Sequence, residues 1–322
     1  MEKPYIVLKS TLKKYNMKQK ELALRTSLST KTISELLSGK TPISYSIAIK
    51  LEYAFNIPSE FWINLEKEYS LSIEKEKEIK ALTNETVYLK EIPYDKLARL
   101  NIKMIPKTKV DTEKVYNLKK YFGISDLSLL NSMKLHLEKY TDKISYLQLA
   151  IMRKCELEAT DKKILTISLQ LLKKSITYLK KYTKTGFYIN KKTISEVLKK
   201  CGIYITLDDS LKNPGIILYK NKKGYIILNA NLQENYMWFY LFYSIHILTT
   251  ENKVITIINK KNNCKRAIAT ILIEMLIKNK DTKILKSMAY VTDKYVEILA
   301  TDNDVSKSFL NTIIKESKLT IN

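Results

Sequence analysis

The sequence predicts a mainly helical protein with one small β-sheet, an α+β chain. Three observations carry this. Glycine and proline number six each among 322 residues, too few for a turn-rich β scaffold. Apolar residues recur at three- and four-residue spacing along most of the chain. Only residues 203–228 show the alternation and turn signals of strands. With 45% hydrophobic residues at this length, two or three domains with substantial cores are expected. The composition shifts suggest 1–70, a helical middle region 71–160, and an α+β region 161–322.

Residues 18–39 read as a helix, a tight turn and a second short helix. Ala23 lets the two helices approach, and Leu22, Leu28, Ile33, Leu36 and Leu37 can bury between them. Ser29 is placed to cap the second helix, and Gly39 to end it in the left-handed conformation. The outer face keeps Thr30, Lys31, Ser34, Glu35 and Ser38. An ordinary helical hairpin would explain the amphipathic pair, but not a short polar face without large apolar residues, nor Gln19 opening the first helix. The layout is that of a helix-turn-helix that enters a major groove. Beyond it, Ile43, Ile47, Leu51 and Phe55 recur at helical spacing, and Pro58 and Ser59 start a helix carrying Phe61, Trp62 and Leu65. Five short helices in about 70 residues form a compact DNA-binding domain.

The side-chain chemistry sorts the candidate contacts. Lys31 can donate to guanine, Glu35 can accept from the cytosine amino group, and Thr30 can touch a thymine methyl, with Ser34 a lesser base contact. Lys18, Gln19, Ser29, Ser38 and Lys40 are candidates for phosphate, which fixes register without reading sequence. The expected partner is an operator in double-stranded DNA. One small head grips half a palindrome weakly, so a homodimer is expected.

After the first domain, residues 70–80 form a mixed-charge stretch of helix formers. Pro93 and Pro106 bracket a short helical segment. Helices are expected over 111–122, closed by Gly123, over 144–159, and over 163–180, where Ile164, Ile167, Leu171 and Leu172 share a side. A helix at 194–200 leads into a strand at 201–207. Two further strands, 216–219 and 225–228, flank a turn read from Lys220 to Gly224. A continuous apolar helix at 234–248 follows, then a loop, a second apolar helix at 266–278, and a helical tail from Asp281.

The net charge is +23, with 56 basic residues. Only Arg25, Arg99, Arg153 and Arg266 are arginine, so much of the charge reads as the codon bias of an AT-rich genome. It still strengthens non-specific DNA affinity and makes it salt-sensitive. Cys155, Cys201 and Cys264 stand far apart in no paired spacing, which fits free thiols in a reducing cytoplasm. The N-terminus lacks the apolar core of a signal peptide, and the most apolar run, 237–248, is too short to span a bilayer. A soluble cytoplasmic protein is expected, with no membrane partner.

Two stretches resemble known families. Asn16-Met17-Lys18-Gln19-Lys20-Glu21-Leu22-Ala23, the segment Ser29 to Gly39, and Ile57-Pro58-Ser59-Glu60-Phe61-Trp62-Ile63 together resemble the Xre/Cro-type repressors, whose fold is lambda-repressor-like, and specifically the HigA-like antitoxins. The resemblance covers 5–70. It departs at Ser27, where the family has a turn glycine. Serine fits there provided the backbone is not driven to positive φ. The resemblance implies a repressor that neutralises a toxin and controls its own operon. A phage or mobile-element regulator acting as an interaction module without a toxin is the first alternative, and a metallopeptidase with an unusual site the second.

From about 95 to 280, the order of helix, strand, hairpin and apolar helix is similar to the zincin-like ImmA/IrrE metallopeptidases. Leu100 to Lys109, Tyr121-Phe-Gly-Ile-Ser and Ala150 to Ala159 match the linker region of such fusions. The active members carry an HExxH helix whose histidines bind zinc around a glutamate base. Here Tyr243 falls at the first histidine, Ser244 at the glutamate and Ile247 at the second histidine, with His246 one residue off. No carboxylate stands near Cys264 where the third ligand belongs, and Glu274 comes almost three turns later. With only His136 and His246 in the chain, the expectation is a pseudo-peptidase: no metal, no cofactor, no catalytic residues, and no enzyme activity.

Overall fold

The computed structural model describes residues 2–100, 102–160, 162–250, 254–259, 262–288, 290–317, 320 and 321. The chain divides into two compact units, residues 1–87 and 88–322.

The first unit is built from α1 (Pro4–Lys14), α2 (Gln19–Thr26), α3 (Thr30–Ser38), α4 (Tyr45–Phe55) and α5 (Ser59–Glu85). Its core collects Leu8, Leu22, Ile33, Leu37, Leu51 and Trp62, all essentially without solvent contact. Phe61 meets Trp62 edge-on at 5.3 Å, and Tyr15 meets Phe55 likewise. Two glutamates fasten the corners. The Glu66 carboxylate accepts the Ile43 N–H at 3.0 Å. Glu52 accepts the Ser59 N–H at 2.8 Å and so caps α5, whose N-cap position is a proline. Those hydrogen bonds from Ser59 hold the Glu52 carboxyl below its ordinary value. The boundary expected at residue 70 falls inside α5, which carries straight on through the mixed-charge stretch to Glu85.

The second unit opens with a 3-10 turn (Thr86–Lys90 spans the junction) and α6 (Tyr94–Ala98), then α7 (Asp111–Phe122), α8 (Ser128–Leu137), α9 (Tyr146–Thr160), α10 (Leu169–Lys180) and α11 (Lys191–Lys200). Next come β1 (Ile203–Asp208), β2 (Gly215–Lys220), β3 (Lys223–Asn229), α12 (Glu234–Thr250), β4 (Ile255–Ile258) and α13 (Asn262–Leu276). The chain ends in α14 (Asn279–Ser287), β5 (Tyr290–Val291), α15 (Asp293–Asp302), α16 (Lys307–Glu316) and β6 (Thr320–Ile321). The main sheet is mixed, in the order β1-β3-β2-β4, and β5 pairs with β6. β1 and β3 are parallel, with Ile203 opposite Gly224, and β2 is antiparallel to both β3 and β4. The apolar helix α12 lies against β2 and β3 and meets α10, α13 and α16. Met237, Trp238, Phe239, Leu241, Phe242 and Ile245 have no solvent contact, as an all-round apolar helix requires.

Three local expectations need correction. The helix expected from 163 starts only at Leu169, where Ser168 caps it. Before it, Lys163 has a positive φ, and the Ile167 N–H is given to the Lys222 carbonyl in the hairpin. Ile164 is buried from extended chain and Leu171 is exposed. The hairpin falls within the expected 220–224 segment and turns on Asn221 and Lys222, both left-handed. Gly224 lies in β3, paired with Ile203 and Tyr219, where a Cβ would meet Leu248 Cδ1 at 2.9 Å. The loop expected after α12 contains β4, too short and interrupted by polar residues to read as a strand. Between α7 and α9 stands α8, also not anticipated.

Cys155 and Cys201 are buried free thiols, and burial pushes the Cys155 thiol well above its ordinary value. Among the described residues no helix is long and apolar enough to cross a membrane.

Candidate nucleic-acid interface

The turn between α2 and α3 sets the site. Thr26 ends α2 buried, its hydroxyl donating to the Leu22 carbonyl at 2.7 Å. Ser27 then takes the left-handed conformation, φ 53° and ψ 33°. The proviso attached to this serine is therefore not met: the backbone is at positive φ, and the residue carries the strain that a glycine would avoid. The turn closes all the same, because the Leu28 N–H reaches back to the Ala23 carbonyl at 3.1 Å. Leu28 itself is half-buried at the edge of the core rather than inside it.

Ser29 begins α3 as expected. Its Oγ accepts the Thr32 N–H at 3.0 Å and shares a hydrogen bond with the Thr32 hydroxyl at 2.8 Å. Ser29 is thus committed to the cap first, and a phosphate contact must use what remains of its hydroxyl. Thr32 is the partner that sequence reasoning passed over. A hydroxyl residue three places after the cap was the available signal. Gly39 ends the helix at φ 72°, and a Cβ there would lie 2.6 Å from Tyr5 Cδ1. Both the conformation and the closeness of Tyr5 require glycine.

Between these stops, Ile33, Leu36 and Leu37 anchor α3 in the core. Thr30, Lys31, Ser34 and Ser38 are exposed, as are Lys18, Gln19, Ser29 and Lys40. Ser38 turns its hydroxyl back to the Glu35 carbonyl at 3.0 Å. Glu35 is half-buried, and its carboxylate accepts the Thr41 hydroxyl at 3.3 Å. Of the four base-edge candidates, Glu35 is therefore the one already engaged within the protein. Its release to a base would cost that hydrogen bond. Glu21 is the other acid nearby, and Arg25 neutralises it at 2.8 Å. The exposed face is thus left short, polar and basic. Tyr45, 76% exposed in the first turn of α4, adds a phenol that sequence reasoning did not single out. A tyrosine hydroxyl there suits a phosphate oxygen.

The α12 helix presents a different chemistry. On α12, Ser244 is fully buried and donates to the Tyr240 carbonyl at 2.7 Å. Ile247 is core, and Tyr243 and His246 are half-buried with partners of their own. These side chains do not fit a zinc ion: a serine tied to backbone and an isoleucine stand where an HExxH helix would need a base and a ligand. Among the described residues no group of three His, Cys, Asp or Glu stands close enough to hold a metal.

A helix-turn-helix family matches residues 8–62, which are α2, α3, α4 and their flanks. No curated protein matches the chain. The N-terminal unit is an Xre-type helix-turn-helix domain, and the chain is a DNA-binding transcriptional regulator.

Proposed function

We propose that the chain is a sequence-specific repressor of the HigA-like antitoxin type, acting as a homodimer on an operator of its own gene and neutralising a toxin partner. The observation that carries the DNA-reading part is the solvent-facing side of α3, where Thr30, Lys31 and Ser34 project between two fixed helix ends. Thr30 and Lys31 read base edges, Ser34 and Glu35 assist, and Lys18, Gln19, Ser29, Ser38 and Lys40 hold phosphates. The antitoxin part rests on the resemblance of the motifs at 16–23, 29–39 and 57–63.

The larger unit serves as a pseudo-peptidase platform of ImmA/IrrE descent, without catalysis. Its order of strand, hairpin and apolar helix supports the descent, and the residues at Tyr243, Ser244 and Ile247 argue against a working zinc centre. Purification from the native host with both DNA and protein recovered is the test. One operator near the chain's own gene and a small toxic protein are expected. Recovery of the operator without a toxin would favour the mobile-element regulator, and stoichiometric zinc would contradict the platform reading.

A further inference from the structure

The second unit contains a half-open cleft of about 730 Å³, none of whose lining residues belongs to α12. Its walls come from the end of α7, from α8, from α9 and from β2. Phe122, Leu137, Leu149 and Met152 make them apolar, and Leu129 and Met133 stand exposed at the rim. One end is different. Arg153, Glu156 and Lys220 meet there, the carboxylate of Glu156 accepting Arg153 Nη1 on one oxygen at 3.3 Å and Lys220 Nζ on the other at 2.7 Å.

One carboxylate thus faces two cations, and the end of the cleft keeps a net positive charge. The Arg153 guanidinium is held in place through Nε, which donates to the Tyr121 carbonyl at 3.2 Å. Its Nη2 lies beside Gly123, 3.4 Å from where a Cβ would be, and has no hydrogen-bond partner among the described residues. A fixed guanidinium with an unspent N–H, next to an ammonium with protons to spare, is the chemistry that takes a carboxylate. The volume is that of a small-molecule pocket.

We propose that this cleft binds an amphipathic organic acid, its carboxylate at Arg153 and Lys220 and its apolar body against Phe122, Leu149 and Met152. The charge selects the acid over the matching alcohol or amine, and the walls demand an apolar tail.

Calorimetric titration of the full chain with decanoate, decanol and decylamine tests it. Saturable decanoate binding is expected, with decanol weaker by about tenfold or more and decylamine not binding. Lys220→Met should weaken decanoate several-fold and leave decanol unchanged. Met133→Trp, which fills the mouth, should abolish binding of both. Both side chains are substantially exposed, and unchanged circular dichroism verifies folding. No saturable heat with decanoate, equal affinity for all three compounds, or indifference to both substitutions would overturn the proposal.

Discussion

Ser27→Gly is the most informative single change in the head domain. The serine sits at φ 53°, ψ 33° between α2 and α3, and no hydrogen bond of its hydroxyl is among those described. Backbone hydrogen bonds into the end of α2 close the turn, and a glycine would keep them, so they do not remove the left-handed cost of about 1–2 kcal/mol that an L-residue carries. Glycine removes that cost but gives the unfolded chain more freedom, worth about 0.4–1 kcal/mol against folding. The difference leaves a gain of roughly 0.5–1 kcal/mol. Native-state hydrogen exchange on the full chain reads this locally. The Leu28 amide, held by the Ala23 carbonyl, should exchange about two- to five-fold more slowly in Ser27→Gly. Ser27→Ala keeps the strained backbone and should exchange as the parent does. Faster exchange in Ser27→Gly, or equal behaviour of the two variants, would refute the argument that the turn is strained.

Four other outcomes are expected. Gly39→Ala meets both the left-handed backbone and the Tyr5 ring, and should cost at least about 1–2 kcal/mol in denaturant unfolding of the head. Lys31→Ala should cost about 1–3 kcal/mol at a selected operator and relax preference at one base position, measured by titration of matched duplexes. Lys40→Ala should weaken specific and random DNA alike and reduce the salt slope by about one. The Glu138 carboxyl is held below its ordinary 4.5 by the Ile144 N–H and by Lys134. It therefore contributes stability that is complete above pH 4.5 and is lost as pH falls through the lower folded value. Glu138→Gln should flatten that part of a thermal-melting series taken from neutral to acid pH.

The head was readable because its signals are local. The cap at Ser29, the stop at Gly39 and the apolar spacing of Ile33, Leu36 and Leu37 each act within one or two turns, and all point the same way. The α12 core helix was readable for a related reason: a run apolar on every side has nowhere to go but inside. What sequence did not disclose depends on distant partners. Ile167 leaves helix for extended chain because the Lys222 carbonyl claims its N–H, and the space at Gly224 is closed in by Leu248, Ile167 and Ile203 from three other segments. β4 becomes a strand by pairing Ile255 with Leu218. In the site, exposure at Thr30, Lys31 and Ser34 follows from helical period. The engagement of Glu35 with Thr41 does not, since it depends on the loop path after Gly39.

Selection of binding sites by the full chain from a pool of random duplexes tests the central claim most directly. The account predicts enrichment of one sequence with two related half-sites about one helical turn apart, and a broadened preference at one position of each half-site when Lys31→Ala replaces the parent. A pool that emerges without enriched sequence, or an enriched sequence unchanged by Lys31→Ala together with Thr30→Ala and Ser34→Ala, would contradict base reading by α3.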